Sequence, residues 1–557
     1  MRIYSVQQMQ ALERASDDAG HSYAAMMEAA GSAVAQATER WIAGRMNEAK
    51  RVLVLAGPGN NGGDGLIAAR ELSKRGYSTV AYLWKRDEQD PLVAEARRYN
   101  VSLVWAENDA GDLLARALDR AEIVIDAIFG TGLSRPIEGE PARILNALRT
   151  QRDAAEPAND LQWISPLMRE EAVRRTLALI AVDVPSGLNG DSGEVDEATV
   201  AADLTVTFAG PKLGMLTPKA AGVTGELVIA DIGIPETVTE VAESTARLLT
   251  PGLAASLLPA RPRCGHKGTF GTTMVVGGSI NYIGAPALCA VAAGRSGAGL
   301  VTLGVPTILQ PLLAARADLT TSTWLLLPHD MGALRADATK LLNDALEKVD
   351  ALVLGPGLGT DKATQHFVWS LFGLEAPDEA RASIGFATRA RELELQARSA
   401  VRLPPMVVDA DGLNILAQGG EWWRSVETPL VLTPHPGEMG RLLGRATGEV
   451  QAERLASARE AATRFKQVVV LKGAFTIVAA PDGRTSIAPF ANDALAKAGS
   501  GDVLAGIIGA LLGQGIEPYE AACLGVTAHG LAGEALARSA GGRGALASDL
   551  LDLLPEV

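Results

Sequence analysis

Cysteine is scarce: Cys264, Cys289 and Cys523 are the three in 557 residues, far apart and odd in number. That gives neither a disulfide framework nor a zinc spacing, and it points to a reducing cytoplasm. Aromatic residues make up only 4% of the chain. An aromatic-rich binding surface is therefore disfavoured, and tight helix-on-sheet packing is favoured. Basic residues are outnumbered, 51 Lys and Arg against 65 Asp and Glu, for a net charge of −14. Such a chain does not attract phosphate backbones broadly, so nucleic acid is a poor partner. An anionic ligand would need local help from helix N-termini or single basic residues. No uninterrupted apolar run approaches the roughly 18 residues of a membrane span. The start, MRIYSVQQMQALERA, has no apolar signal core. Cytoplasmic localisation without membrane contact is the expectation.

What is present is an alternation. Ser5 can cap a first helix with Val6, Met9 and Leu12 on one face; a second carries Tyr23, Met26, Met27, Ala30 and Val34 at helical spacing. RVLVLAG, STVAYLW, AEIVIDAIFG, LALIAVDVPSG and ADLTVTFAG then read as strands, with helices over 65–75, near 91–98 and near 141–149. The pattern breaks over 233–262, where Pro, Gly and charges mix. It resumes with TMVVGGS, a small-residue helix over 284–296, GLVTLGVP, ALVLGPGLG, PMVVDADG, PLVLTPHPGE, QVVVLKGAFTIVAA and a helical region from Gly501. Short β-rich runs alternating with helices predict an α/β fold of two doubly wound domains, 1–245 and 246–557. Thr150–Arg175 and Ala376–Pro405 read as insertions, surface helices or loops.

In an open parallel sheet, ligands sit beyond the carboxyl ends of the strands. After the first strand comes LAGPGNNGGDGL, with Gly57, Gly59 and Gly62 at dinucleotide-loop spacing. The acidic ribose partner expected about 20 residues on is missing; Leu83-Trp84-Lys85-Arg86 stands there. Lys85 or Arg86 would suit an NADP-type reading, but nothing else supports hydride transfer. Asn60 and Asn61 offer carbonyl oxygens, and with Asp126 and the Ser186 hydroxyl they would make an all-oxygen cation site. The bland alternatives are Asp64 as a helix cap, Asp126 and Asp183 as turn formers, and Asn60 and Asn61 as left-handed loop residues.

GNNGGDGLIAAREL, DAIFGTGLSRP and VDVPSGLNGDSG resemble the NAD(P)HX epimerase family over roughly residues 1–235. That resemblance implies a Rossmann-like domain that interconverts the R and S epimers of hydrated nicotinamide cofactors. It implies hydrate contacts from Asn60, Asn61, Gly62, Gly63, Asp64, Gly130, Thr131, Gly132, Leu133, Ser134, Arg135, Pro136 and Asp183, and a potassium ion on Asn61, Asp126 and Ser186. Asp183 is the candidate acid/base; Asp126 suits the role less, because a bound cation would keep it ionised.

NDALAKAGSGDVLAGIIGALLGQG is the most informative stretch. A Gly-rich helix start presents backbone amides to an anion. Asp502, in the first turn, can accept a proton from a hydroxyl under phosphorylation, or simply cap the helix. No GxxxxGK[ST] loop is present. The helix start resembles the ribokinase-like superfamily. With HKGTFGTTMVVGGS, LGPGLGT, VVDADGLNIL, LTPHPGEMGRLLG and VVLKGAFTIV, residues 262–557 resemble the ADP-dependent NAD(P)HX dehydratases. The resemblance implies Ala285, Gly359, His435 and Asp502 around the hydrate, and Lys472, Gly473, Ala474, Phe475, Thr476 and Gly501 around the nucleotide. Asp502 would be the catalytic base, with magnesium and ADP as co-substrate. Asp409 and Asp411 read either as site neighbours or as turn formers, and His529 reads as core. A homo-oligomer acting on small molecules is expected. Competing readings are a vitamin-precursor kinase fused to an NAD(P)-binding domain, and a non-catalytic NAD(P) sensor.

Overall fold

A computed structural model describes residues 1–46, 49–109, 111–133, 135–154, 177–241, 246–319, 322–374 and 403–557. Most of the two insertions, and Ser134, lie outside the described residues. The chain divides into two compact units, Met1–Ala246 and Arg247–Val557.

The first unit is built on a seven-stranded sheet in the order Ser102–Trp105, Ser78–Leu83, Arg51–Ala56, Ile123–Ala127, Ala178–Val182, Leu204–Phe208 and Glu226–Ala230. Every neighbouring pair is parallel. Successive side chains of a strand face opposite sides. Thus Val52, Val54 and Ala56 enter one core, while Leu53 and Leu55 enter another on the opposite face. Burial on both faces is why these strands read as continuous apolar runs. The chain winds outward from Arg51–Ala56, then returns to Ile123–Ala127 on its other side, so the topological switch lies between those two strands. Gly31 lets the helices Tyr23–Ile42 and Asn60–Lys74 approach closely: a Cβ there would stand 2.5 Å from Ile67 Cβ and 2.7 Å from the Asp64 carbonyl oxygen.

In the second unit, Val468–Leu471, Leu430–Leu432, Met406–Val408, Ala351–Leu354, Thr272–Val276, Leu300–Pro306 and Thr323–Leu327 lie side by side and parallel. The switch falls between Thr272–Val276 and Ala351–Leu354. The run QVVVLKGAFTIVAA is not one strand: Val468–Leu471 and Ile477–Ala479 pair antiparallel, and Lys472–Thr476 forms their turn. The helix Ser500–Gly513 lies on this sheet through glycines. A Cβ at Gly506 would meet the Cys289 carbonyl oxygen at 2.2 Å, and one at Gly509 would meet Val353 Cγ2 at 2.3 Å.

Element type follows the sequence reading, and Pro91–Arg98 and Gly284–Arg295 fall within a residue of expectation. The expected helix over 65–75 starts earlier, at Asn60, because Gly59 serves as its N-cap residue in extended geometry. Short strands that carried no clear signal are added at Ser102–Trp105, Glu226–Ala230, Thr323–Leu327 and Thr485–Ile487. The broken stretch 233–262 holds the short helices Glu236–Val241 and Pro251–Leu257. Among the described residues, no helix is long and apolar enough to cross a membrane.

Candidate active sites

The first site lies at the switch of the first unit. Asn60, Asn61, Gly62, Gly63 and Asp64 are the opening turns of a helix, so the left-handed reading of the two asparagines fails. Two of the three spaced glycines serve the chain itself. A Cβ on Gly57 would stand 2.1 Å from the Ile128 carbonyl oxygen, and one on Gly62 would stand 2.0 Å from that of Gly57. Gly59 has open space where a Cβ would be. Arg86 is committed to this loop, not turned toward a ribose phosphate. Its Nη1 donates to the carbonyls of Gly57 (3.2 Å) and Gly59 (2.8 Å), and the guanidinium pairs with Asp90 at 2.6 Å.

Asp126, next to the last residue of its strand, is buried. It accepts from Ser186 Oγ at 2.6 Å, Ser186 N at 2.9 Å and Ile128 N at 3.3 Å. Burial raises its carboxyl above the ordinary value against those hydrogen bonds. Ser186 Oγ in turn accepts from Phe129 N at 2.9 Å. Asn61 borders the same turn, since a Cβ on Gly130 would lie 3.1 Å from its Oδ1. Asn61 Nδ2 is buried without a hydrogen-bond partner. Asn61, Asp126 and Ser186 are thus gathered around Phe129–Gly130. Thr131 and Leu133 are half-buried, and Gly132, Arg135 and Pro136 are exposed.

Asp183 follows the strand Ala178–Val182 with φ +63°, a left-handed conformation that is uncommon for a side-chain-bearing residue. Its carboxylate accepts from Thr207 Oγ1 at 3.0 Å and from the Lys212 ammonium. Lys212 is 1% exposed and also donates to Thr207 Oγ1 (2.9 Å) and the Phe208 carbonyl (3.3 Å). A buried ion pair with a hydroxyl between its partners is not a simple turn. Lys212 was missed in the sequence, although it stands just beyond the carboxyl end of Leu204–Phe208, where the same rule would have found it. Asp64 is 8% exposed and sits in the second turn of its helix, so it is not a cap. Burial, then Asp183 and Glu13, hold its carboxyl well above the ordinary range against Lys212 and Arg86. Glu13, on the first helix, is raised by burial and by Asp183; its sequence context gave no signal.

The second site surrounds the start of the helix Ser500–Gly513. Gly499 is left-handed at φ +95°, which lets the chain turn sharply into the helix. The first amides of a helix lack intrahelical partners. Ser500 N and Val503 N find the carbonyls of Lys497 and Gly499, which leaves the amides of Gly501 and Asp502 without a backbone carbonyl. Lys472 pairs with Asp409 at 2.5 Å and lies 3.8 Å from Glu438. Burial opposes its charge, but Asp409 and Glu438 outweigh burial and hold the ammonium above its ordinary value. Its Nζ would lie 3.4 Å from a Cβ on Gly501, so the Lys472–Thr476 turn and the helix start share one space. Burial and then Asp409 push Asp502 up to about 7. Asp409 therefore belongs to the site. Asp411 instead accepts from Gly359 N at 2.9 Å and fixes that loop. Gly359, at φ +75°, lies beside Ser279, whose buried Oγ has no partner. Ala285 opens its helix next to Gly357, whose Cβ would stand 3.0 Å away.

His435 is the N-cap residue of Pro436–Leu443. Its Nδ1 accepts from Gly437 N (3.0 Å) and Glu438 N (3.3 Å), and its Nε2 lies 3.3 Å from Glu438 Oε1, so Glu438 faces the imidazole as well as its own helix start. Burial, then Lys472, lower its pKa, so the ring is neutral near pH 7. His529, read as core, is more than filler: its Nε2 lies 2.9 Å from the Ser500 carbonyl oxygen and pins the helix start. Burial lowers its pKa to about 4. Arg454 and Glu438 were missed. Arg454 is 8% exposed and donates to the carbonyls of Leu471 and Lys472, both at 3.3 Å, under the nucleotide-side turn.

Residues 23–214 match a family model described as YjeF-related protein N-terminus, and residues 273–556 match one described as NAD(P)H-hydrate dehydratase. A bifunctional NAD(P)H-hydrate repair enzyme of Moorella thermoacetica is 40% identical over 96% of this chain and 92% of its own length. One from Thermofilum pendens is 34% identical over 100% of this chain and 96% of its own length. A solved ADP/ATP-dependent NAD(P)H-hydrate dehydratase from Bacillus subtilis is 29% identical, covering 56% of this chain and 97% of that one, with a TM-score of 0.44. By sequence along nearly its whole length, this chain belongs to the family of bifunctional NAD(P)H-hydrate repair enzymes.

Proposed function

We propose that this chain restores hydrated nicotinamide cofactors in two steps. Residues 1–245 interconvert the R and S epimers of NADHX and NADPHX. Residues 246–557 dehydrate the S epimer to NADH or NADPH with ADP, releasing AMP and phosphate. The observation that carries this reading is the constellation at the second helix start. Asp502 is held near 7, half-buried Lys472 pairs with Asp409, and the helix-start amides of Gly501 and Asp502 lack backbone partners beside them.

Asp502 takes the proton of the hydrate hydroxyl. The oxygen then attacks the terminal phosphoryl group of ADP, and AMP departs. Lys472 and the amides of Gly501 and Asp502 receive the charge that gathers on the phosphoryl oxygens. The ring nitrogen expels the resulting phosphate, and loss of a ring proton restores the double bond. Magnesium is usually held by one or two carboxylates plus phosphate oxygens; Asp409 and Asp502 are the carboxylates that would hold it. Bound magnesium would neutralise phosphate charge.

In the first unit, Asp183 exchanges protons with the hydrate, and the ring nitrogen assists loss and return of the hydroxyl. Asn61, Asp126 and Ser186 would hold potassium: one carboxylate balances one positive charge, and amide and hydroxyl oxygens complete a hard-donor set. Bound potassium would fix the loop Gly130–Pro136 against the helix start. Cytoplasmic residence and a homo-oligomeric assembly belong to the same proposal.

The test mixes the purified chain with both epimers of the hydrate plus ADP. Complete recovery of reduced-cofactor absorbance with stoichiometric AMP is expected. A stable phosphorylated product would instead mark a small-molecule kinase. A stall near half conversion, where spontaneous epimerisation is slow, would remove the first activity.

A further inference from the structure

Inverting a carbon that carries a hydroxyl takes two proton-handling groups. One protonates the departing oxygen; the other deprotonates the water that returns on the opposite face of the ring. Two carboxyl groups in the first unit meet across the switch from different elements and have opposite environments. Asp183 is paired with Lys212 and hydrogen-bonded by Thr207, so its charge is compensated. Asp64 is 8% exposed. Among the described residues, no hydrogen-bond donor reaches its carboxylate. Its neighbours are like charges, Asp183 and Glu13, with Lys212 and Arg86 on the other side of the balance. Arg86 is engaged with Asp90 and the loop carbonyls, and Lys212 with Asp183. The adjoining Gly63 packs on Met27, a neutral side chain. A buried carboxyl without donors keeps its proton.

We propose that Asp64 is the second acid/base residue of the epimerase, the acid to the Asp183 base; this rests on the epimerase reading above. In one direction, Asp64 gives its proton to the hydroxyl oxygen as the carbon–oxygen bond breaks. The nitrogen lone pair forms the iminium, and water departs. A water then attacks the iminium carbon from the other face, its electron pair forming the new bond, and its extra proton passes to Asp183. The ring nitrogen regains its lone pair. The chain ends with the proton on Asp183 and resets by exchange with solvent or by the reverse conversion. No oxidant, reductant or further substrate is needed. Lys212 is then a positioning residue that holds the Asp183 carboxylate in place through their ion pair.

The experiment uses the full chain without ADP, so the dehydratase is silent. Epimer interconversion is followed by separating the two hydrates against time, for the parent, Asp64→Asn and Asp64→Glu. Asp64→Asn is expected to lose about 100-fold or more in kcat, with KM within a few-fold. Asp64→Glu is expected to recover part of the rate. The parent profile should fall as pH rises and Asp64 loses its proton, and Asp64→Asn should lack that limb. Folding is checked by dehydration of the pure S epimer with ADP, which the variant should retain. An Asp64→Asn chain within threefold of the parent kcat, or one changed only in KM, overturns the proposal. A parent chain that does not interconvert the epimers at all overturns the epimerase reading instead.

Discussion

Gly501→Ala separates folding from chemistry at the second site. Gly501 is the second residue of the helix Ser500–Gly513, and its φ is not in the left-handed region. An added Cβ would lie 3.4 Å from Lys472 Nζ and 3.7 Å from Asp409 Oδ2, with no backbone atom among its near neighbours. Both distances are ordinary contacts, and one is the end of a flexible side chain. Replacing glycine by alanine where the backbone permits stabilises by about 0.4–1 kcal/mol, chiefly by narrowing the unfolded ensemble. The same methyl group would stand beside the Gly501 amide, on the side of the site that Lys472 and Asp409 face. Loss of one preformed donor to a charge developing in a transition state costs about 10²–10³-fold, roughly 2.7–4 kcal/mol. The expected outcome is a melting temperature equal to or above the parent, with ADP-dependent dehydration of the S epimer down by about that factor. Gly506→Ala on the same helix is the contrast. Its Cβ would stand 2.2 Å from the Cys289 carbonyl oxygen, and overpacking of this kind destabilises by about 1–3 kcal/mol or more. Calorimetric or fluorescence melts and steady-state dehydration assays read both variants. Full activity in Gly501→Ala would refute the placement of phosphate at this helix start.

Asp502→Asn should lower dehydration by about 10²–10⁴-fold and leave epimer interconversion intact; retained dehydration would remove Asp502 as the base. Because burial raises Asp502 to about 7, kcat/KM for dehydration should climb as pH rises through that value, and the climb should vanish in Asp502→Asn. The linkage has the opposite sign for folding. A carboxyl raised in the folded state loses stability as pH rises from the ordinary carboxylate range through about 7, so Asp502→Asn should gain melting temperature relative to the parent more at pH 8 than at pH 5 (both about). Lys212→Met leaves Asp183 without its cation. With the Asp183 side chain 14% exposed, the cost should be at or below about 3 kcal/mol; epimerisation should fall while dehydration of pure S epimer persists. Replacing potassium by a bulky organic cation should slow epimerisation in the parent, and Asp126→Asn should abolish that cation dependence; equal rates in both buffers would remove the cation site.

The sequence announced the phosphate side of the second site because its signal is local. Gly499-Ser500-Gly501-Asp502 is a turn, an amide pair and a base within one helical turn. The same held for Ser5, whose capping box with Gln8 is a contact three residues apart. His435 shows the limit: a histidine between two prolines was legible as special, but its capping bonds, which occupy Nδ1, required the folded helix. The three glycines after Leu55 read as one ligand loop. The structure divides them, because Gly57 and Gly62 answer to backbone from Ile128 and from Gly57 itself. From sequence, Arg86 suits a ribose phosphate; in the fold it is taken up by carbonyl partners 27 to 29 residues away.

The sequence by itself determined an α/β architecture, its central strand runs and the loops beyond those strand ends, because periodicity, glycine and caps act over a few residues. Only the tertiary structure decided which charges meet. Lys212 reaches Asp183 across 29 residues, and Lys472 reaches Asp409 across 63. Asp64 becomes a buried acid among Asp183 and Glu13 because the fold gathers three elements far apart in the chain: the helices Val6–Asp18 and Asn60–Lys74 and the turn after the strand Ala178–Val182. Electrostatic pairing and desolvation depend on distance through space and on excluded water, and neither is written in the spacing of residues along the chain.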